Sequence, residues 1–210
     1  MPASLHALGL VALAAPRDER PATPAATVAP DVVEGCRRGD RASLEAVFRA
    51  HAAGLSRLLV RLVGPVADVE DLLQDTFANA IASFPTFRGE ASVKTWLYRV
   101  AIHVAHQHLR RPRHRREVDL PDADAIAAPE VRSGEDPAQR ELGERLYAHL
   151  DALDAAKRIA LVLYVIEGHT IDEIAALTRA SKAATRSRIF WARRALLRRL
   201  RRDPAFGGAR

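Results

Sequence analysis

From Asp31 onward, apolar residues return at steps of three and four, the signature of helices that bury one stripe and leave the rest to solvent. Leu44, Val47, Phe48, Leu55, Leu58, Leu59 and Leu62 form the first stripe, with Asp40 placed to cap the helix and Gly64-Pro65 to end it. A second helix, about Ala67–Ser83, carries Val69, Leu72, Leu73, Phe77, Ala80 and Ile81 on one side. Phe84-Pro85 stops it, and Thr86–Ala91, which includes Gly89, reads as a loop. Ser92 then caps a third helix, about Val93–Arg111, whose apolar stripe is Val93, Leu97, Val100, Ala101, Val104 and Leu109. Pro112 breaks it.

The pattern lapses between Glu117 and Asp136, where seven carboxylates stand with one arginine, two prolines and no strong period. That stretch reads as a flexible acidic linker. Helical periodicity resumes over about Ala138–Leu153 and Ala155–Glu167, then in a short helix from Ile171 and a long one from Lys182. No segment alternates like a strand. The expectation is an all-α chain: an N-terminal extension over 1–30, a helical domain over 31–112, a linker over 113–137, a second helical domain over 138–203 and a tail over 204–210.

The second domain carries the most specific local signal. Gly168 suits the left-handed residue that closes a helix, and Thr170 with Glu173 spells a T-x-x-E capping box. Ile171, Ile174 and Ala175 give a short buried face, and Ser181 is placed to cap the next helix after a tight turn. A short capped helix, a turn and a long basic helix make a helix-turn-helix. In the long helix Ile189, Ala192, Leu196 and Leu200 keep the spacing of a core face, while Ala183, Arg186, Phe190 and Arg193 follow another row beside Ser187 and Arg194. Eight arginines and no carboxylate lie between Arg186 and Arg202, so phosphate contacts are well supplied. Arginine also binds guanine bidentately, and apolar groups touch the thymine methyl. The plainer alternative is a solvated basic helix with Phe190 and Trp191 packed on a neighbour, Trp191 the more structural of the two.

Composition narrows this picture. Aromatic residues are only 5% of the chain, which favours helices over a β-sandwich, and the net charge of +6 admits a polyanionic partner. Cys36 is the one cysteine, so neither a disulfide framework nor a cysteine-based zinc site is expected, in keeping with a reducing, cytoplasmic setting. No run is long enough to span a membrane, and the apolar stretch Leu5–Ala15 lacks the preceding positive charge of a secretion signal. The extension is expected to be disordered.

Two faces of the first domain stand out. Asp68, Glu70, Asp71 and Asp75, with Gln74 among them, crowd the start of the second helix. The helix macrodipole explains two acids there, but Asp68, Asp71 and Asp75 share a row, which either solvates the helix or docks on a basic partner. On the third helix Trp96, Arg99, His103, His106 and Arg110 form a row away from the apolar stripe, with Lys94 near its start. An indole beside a line of cations suits single-stranded nucleic acid; a tryptophan in a second core contact, with cations in water, is the alternative. His103, His106 and His108 invite a metal, but only the first pair shares a face and no carboxylate completes a set, so no metal or cofactor is expected.

In this order, the pieces resemble the extracytoplasmic-function (ECF) group of bacterial RNA polymerase sigma factors over roughly Asp31–Arg202. The resemblance rests on Asp68-Val69-Glu70-Asp71-Leu72-Leu73-Gln74-Asp75-Thr76-Phe77, on Phe87-Arg88-Gly89 followed by Thr95-Trp96-Leu97-Tyr98-Arg99-Val100-Ala101, and on Glu173-Ile174-Ala175 followed by Arg186-Ser187-Arg188-Ile189-Phe190 and Ala192-Arg193. It implies that Asp68, Glu70, Asp71, Leu72, Gln74, Asp75 and Phe77 bind core RNA polymerase, at the clamp helices of its largest subunit, with a further contact to the flap. It implies that Phe87, Arg88, Lys94, Trp96, Arg99, His103 and Arg110 open and capture the −10 promoter element. Lys182, Ala183, Ala184, Arg186, Ser187, Arg188, Phe190 and Arg193 would read the −35 element. It also implies an anti-sigma partner and a polymerase that supplies all the chemistry. The sequence departs from the family at His103 and Gln107, where Asn and Asp are usual, and at Arg179, commonly Gly. It departs again at Ala183-Ala184-Thr185, in place of Gly-Thr-Val, and at Trp191, often Arg. A helix-turn-helix regulator acting without polymerase is the competing reading, and it leaves the acidic helix and the Trp96 row unexplained.

Overall fold

Among residues 28–65, 68–111 and 137–206, those that the computed structural model describes, regular structure is helical throughout. The chain divides into two units, one within residues 22–129 and one that takes in residues 130–210. All of the linker but Pro137, nearly all of the N-terminal extension, Ala67 and the last four residues of the tail lie outside the described residues.

The first unit holds α1 (Pro30–Arg37), α2 (Arg41–Val63), α3 (Val69–Ser83), a 3-10 turn (Phe84–Thr86) and α4 (Val93–Arg110). Asp40 caps α2 by accepting the Ser43 N–H at 2.8 Å, and Ser92 caps α4 by accepting that of Thr95 at 3.1 Å, both as the sequence anticipates. Helix α1 begins on a proline, whose fixed φ suits a first turn. It packs closely on α2: a Cβ on Gly35 would stand 2.1 Å from the Ser43 hydroxyl, so glycine is required there.

Helices α2, α3 and α4 pack on one another in all three pairings. Leu55, Leu58, Leu59 and Leu62 of α2 are buried, each stabilising the unit by about 1.5–3 kcal/mol. Leu97, Ala101, Val104 and Ala105 of α4 and Leu72 and Ala80 of α3 are buried with them in this unit. The buried row of α3 is narrower than its sequence implies. It runs Val69, Leu72, Thr76 and Ala80, whereas Leu73 and Phe77 are half-buried and Ile81 is exposed. Phe77 stacks on Phe48 with ring centroids 4.3 Å apart. Thr76 is tolerated in the core because its hydroxyl donates to the Leu72 carbonyl at 2.7 Å. On α4, Ile102 and His108 are buried, while Val100, expected in the stripe, is half-buried.

The second unit holds α5 (Pro137–Leu150), α6 (Ala155–Val165), α7 (Ile171–Thr178) and α8 (Lys182–Leu200). Helix α5 ends earlier than its periodicity suggests, because Asp154 starts α6 by accepting the N–H groups of Ala156 and Lys157; α6 in turn closes at Val165, with the Ile166 N–H donating to the Val162 carbonyl. Arg158, fully buried on α6, pairs with Asp151 and lies over the Tyr147 ring at 5.9 Å. Its removal would leave Asp151 unpaired and open a large void in the unit.

Beyond α8 the chain turns back. Asp203 accepts from His149 at 2.7 Å and from Arg145 at 3.3 Å, and Phe206 packs on the cluster of Leu146, Leu150, Leu161, Ala192, Leu196 and Leu200. The Ala205 N–H, and then His149, hold the Asp203 carboxyl below the usual carboxylate range. Phe206, placed in the tail by the sequence, thus shares the packing of this unit.

The turn into α8 follows the expected chemistry. The Thr170 side chain accepts the Glu173 N–H at 3.2 Å, and the Glu173 carboxylate accepts the Thr170 N–H at 2.8 Å. The latter bond is the main cause that holds the Glu173 carboxyl below its ordinary value. Ser181 caps α8 through the Ala184 N–H at 3.1 Å. Arg179 sits between the helices at φ 51° and ψ 40°, in the left-handed region where glycine is common. The backbone path is kept and the side chain bears the strain. Arg179→Gly is therefore expected to raise stability by about 0.5–1 kcal/mol in urea denaturation, and a loss of stability would refute the strain.

Candidate nucleic-acid interface

In the second unit the core row of α8 is Thr185, Ile189, Ala192, Leu196 and Leu200, all buried, the last three in the cluster with Leu146, Leu150 and Leu161. Thr185 is satisfied inside by donating its hydroxyl to the Ser181 carbonyl at 3.0 Å. That leaves Lys182, Ala183, Arg186, Ser187 and Phe190 exposed, with Ala184, Arg188 and Arg193 half-exposed. All eight lie outside the buried row of α8, around its free circumference. Lys182 is held there by Asp172 of α7, its Nζ 2.8 Å from the carboxylate.

Phe190 is 57% and Trp191 51% exposed, so neither is packed on a neighbouring helix as the plainer reading required. The two rings meet edge to face at 5.2 Å, and the Arg194 guanidinium lies 5.9 Å from the indole. Trp191, read from sequence as the more structural, stands in solvent beside Phe190. Further along, Phe190, Arg193, Arg194, Leu197, Arg198, Arg201 and Arg202 line an open basic groove, a surface suited to a polyanion.

In the first unit the acidic helix divides its residues. Glu70, Asp71, Gln74 and Asp75 are exposed along α3. Asp68 turns inward, its carboxylate 3.8 Å from Nδ1 of the buried His108 at the far end of α4. Leu72 is only 3% exposed and Phe77 lies against Phe48, so these two support the helix from within. The exposed acids form an anionic face of four polar side chains, one of them neutral, on a basic protein.

The row on α4 is also sorted by packing. Trp96 is half-buried, with Phe84 and Phe87 at 4.7 and 5.1 Å from its ring. Phe87 is 8% exposed, so its ring faces the unit, whereas Arg88 beside it is exposed. Lys94 lies 5.7 Å from the Tyr98 ring, and burial, reinforced by Lys94, pushes the nearby His51 imidazole below its ordinary value. That ring stays neutral at pH 7. Arg99 is half-buried; His103 and Arg110 are exposed. The two departures on this helix are partners: the Gln107 amide donates to His103 Nε2 at 2.8 Å. His103 and Gln107 thus present one joined polar group at the surface.

Three contributors are not legible in the sequence. Phe84, a helix stop by pattern, is buried in the aromatic group; His108, whose spacing suggests at most a metal ligand, is buried facing Asp68; and Arg37, which no pattern marks, holds the Phe87 carbonyl. Arg37 could not have been found from spacing, because its partner lies 50 residues away.

Comparison with known proteins agrees with this division. The family model described as Sigma-70 region 2 matches residues 47–116, and that described as Sigma-70, region 4 matches residues 143–196. The chain is 31% identical over 179 residues to the ECF RNA polymerase sigma-E factors of Escherichia coli K12 and Salmonella typhimurium LT2, a match spanning 79% of this chain and 90% of each relative. It is also 31% identical over 174 residues to the RNA polymerase sigma-H factor of Pseudomonas aeruginosa, with the same coverage. Among solved structures, CnrH in complex with the cytosolic domain of CnrY matches at a TM-score of 0.56 and 23% identity, over 82% of this chain and 97% of that one. The sigma factor RpoE in complex with the anti-sigma factor NepR from Bartonella quintana matches at 0.51 and 24%, over 79% and 99%. These two support the fold.

Proposed function

The chain belongs to the ECF group of the sigma-70 family, whose members bind core RNA polymerase and direct initiation at particular promoters, and on that premise we propose how its surfaces share the work. The exposed acids Glu70, Asp71 and Asp75, with Gln74, dock α3 on the clamp helices of the largest polymerase subunit, and Asp68, Leu72 and Phe77 hold that face in place. The turn after α3 and the exposed cations of α4 capture the opened −10 element, with Arg88, Lys94, Arg99, His103 and Arg110 toward the phosphates. Trp96 offers one half-exposed aromatic face, and Phe87 supports it from below. Helix α8 enters the major groove at the −35 element with Lys182, Ala183, Ala184, Arg186, Ser187, Arg188, Phe190 and Arg193. Domain limits near 31–112 and 138–203 place one task in each unit.

The observation that carries this reading is the pairing of opposite charges on separate helices: an anionic face on α3 and cationic, aromatic-bearing faces on α4 and α8. A helix-turn-helix regulator acting alone has no use for the first of these. The protein supplies specificity and the polymerase the catalysis, so it is not itself an enzyme. Among the described residues no helix is long and apolar enough to cross a membrane, and action on chromosomal promoters places the protein in the cytoplasm. An anti-sigma protein is a further partner, in keeping with the RpoE relative solved with NepR.

Run-off transcription with purified core polymerase, on promoter fragments from the gene's own operon, tests the whole assignment. Asp71→Lys with Asp75→Lys is expected to abolish core binding and transcription while leaving helicity by circular dichroism intact; core binding that persists would remove α3 from the docking role. Arg186→Ala is expected to weaken −35 recognition by about 1–3 kcal/mol, the scale of one bidentate base contact. An unchanged affinity and footprint would take Arg186 off the reading face.

A further inference from the structure

The segment proposed to capture the opened strand is anchored at one residue, and an arginine from another helix completes the anchor. Phe87 has three handles, and all are held. Its N–H donates to the Phe84 carbonyl at 2.9 Å, closing the 3-10 turn. Its ring packs against both Phe84 and Trp96, which also touch each other. Its carbonyl accepts two hydrogen bonds from Arg37 at the end of α1, from Nε at 3.0 Å and Nη2 at 2.6 Å. The same guanidinium lies 6.0 Å from the Phe87 ring, and its remaining arm donates to Glu34 at 3.3 Å.

A cation in the last turn of a helix needs no special explanation, since it offsets the negative end of the macrodipole. Arg38, just past the helix at its C-cap, is such a surface cation: it is exposed and stands 3.6 Å from Glu34. Arg37 does more. It spends both the Nε and the Nη2 donor on one distant carbonyl, a fork that lysine cannot reproduce. Directly after that carbonyl come Arg88, Gly89 and Glu90, all exposed. Gly89 adopts φ 73°, so the chain swings outward from a fixed root.

We propose that Arg37 is a positioning residue for promoter opening: by gripping the Phe87 carbonyl it fixes where Arg88 and the Trp96 face present themselves to the unpaired strand. This rests on the assignment of the turn and α4 to −10 capture. Preorganisation of this kind lowers the cost of ordering the loop when the strand separates. Its effect therefore falls on opening rather than on polymerase binding, and Arg37 itself touches neither DNA nor polymerase.

The test uses holoenzyme assembled from the full chain, with the rate of open-complex formation measured on duplex promoter and on the same promoter pre-opened by mismatches across the −10 region. Arg37→Ala is expected to slow opening on duplex about tenfold, the scale of a lost charged hydrogen bond, and to initiate within about twofold of the parent on the pre-opened template. Arg37→Lys is expected to fall between the two, and core affinity to be unchanged. Equal losses on both templates would make Arg37 a folding residue, and an unaltered duplex rate would give it no part in opening; either overturns the proposal. Arg88→Ala, run alongside, separates the causes. If it slows opening and Arg37→Ala does not, the role of Arg37 falls alone; if neither slows it, the capture assignment falls with it.

Discussion

A helix of this size has one stripe to bury and the rest of its surface to spend, and every functional surface here follows from where that stripe falls. Leu97, Ala101, Val104 and Ala105 commit α4 to the core, so its cations and the outer edge of Trp96 face outward. Ile189, Ala192, Leu196 and Leu200 commit α8 likewise and leave Arg186, Ser187 and Phe190 in solvent. On α3 the buried row is narrow and partly polar, and so most of the helix is left to carry acids. Burial of the leucines in α2, worth several kcal/mol in sum, is what holds α3 and α4 in register.

Capping and periodicity made most of this legible in advance. Both follow from contacts within four residues, and the side chains at Asp40, Ser92, Thr170, Glu173 and Ser181 cap as their spacing implies. What the sequence hid depends on distant partners. Arg37 finds Phe87, and Asp68 faces His108, across 50 and 40 positions by residue number; no periodicity encodes such pairs. The place of Trp191 is hidden for another reason. A large aromatic is usually worth more buried, but the α8 core row is already filled by smaller residues, and the indole is left with Phe190 and Arg194 for company. The width of the buried row on α3 was likewise beyond reach, because apolar identity marks what is able to be buried and not what is.

Charge divides the labour. A free-standing DNA reader has little reason to carry Glu70, Asp71 and Asp75 on a protein of net charge +6, since those acids repel the ligand that its arginines attract. Placed on different helices, the two signs serve two partners. The departures from the family pattern fit inside this scheme. His103 and Gln107 bind each other, Arg179 keeps a glycine-like backbone, and Ala183, with Ala184 and Trp191, lies outside the buried row of α8.

If the two charge-separated surfaces act together as proposed, DNA opens only when α3 has engaged polymerase. Permanganate reactivity of −10 thymines reports strand separation directly. Reactive thymines are expected with the protein and core polymerase together, and none with either alone. Unreactive thymines in the presence of both, at a promoter the complex occupies, would contradict that joint action.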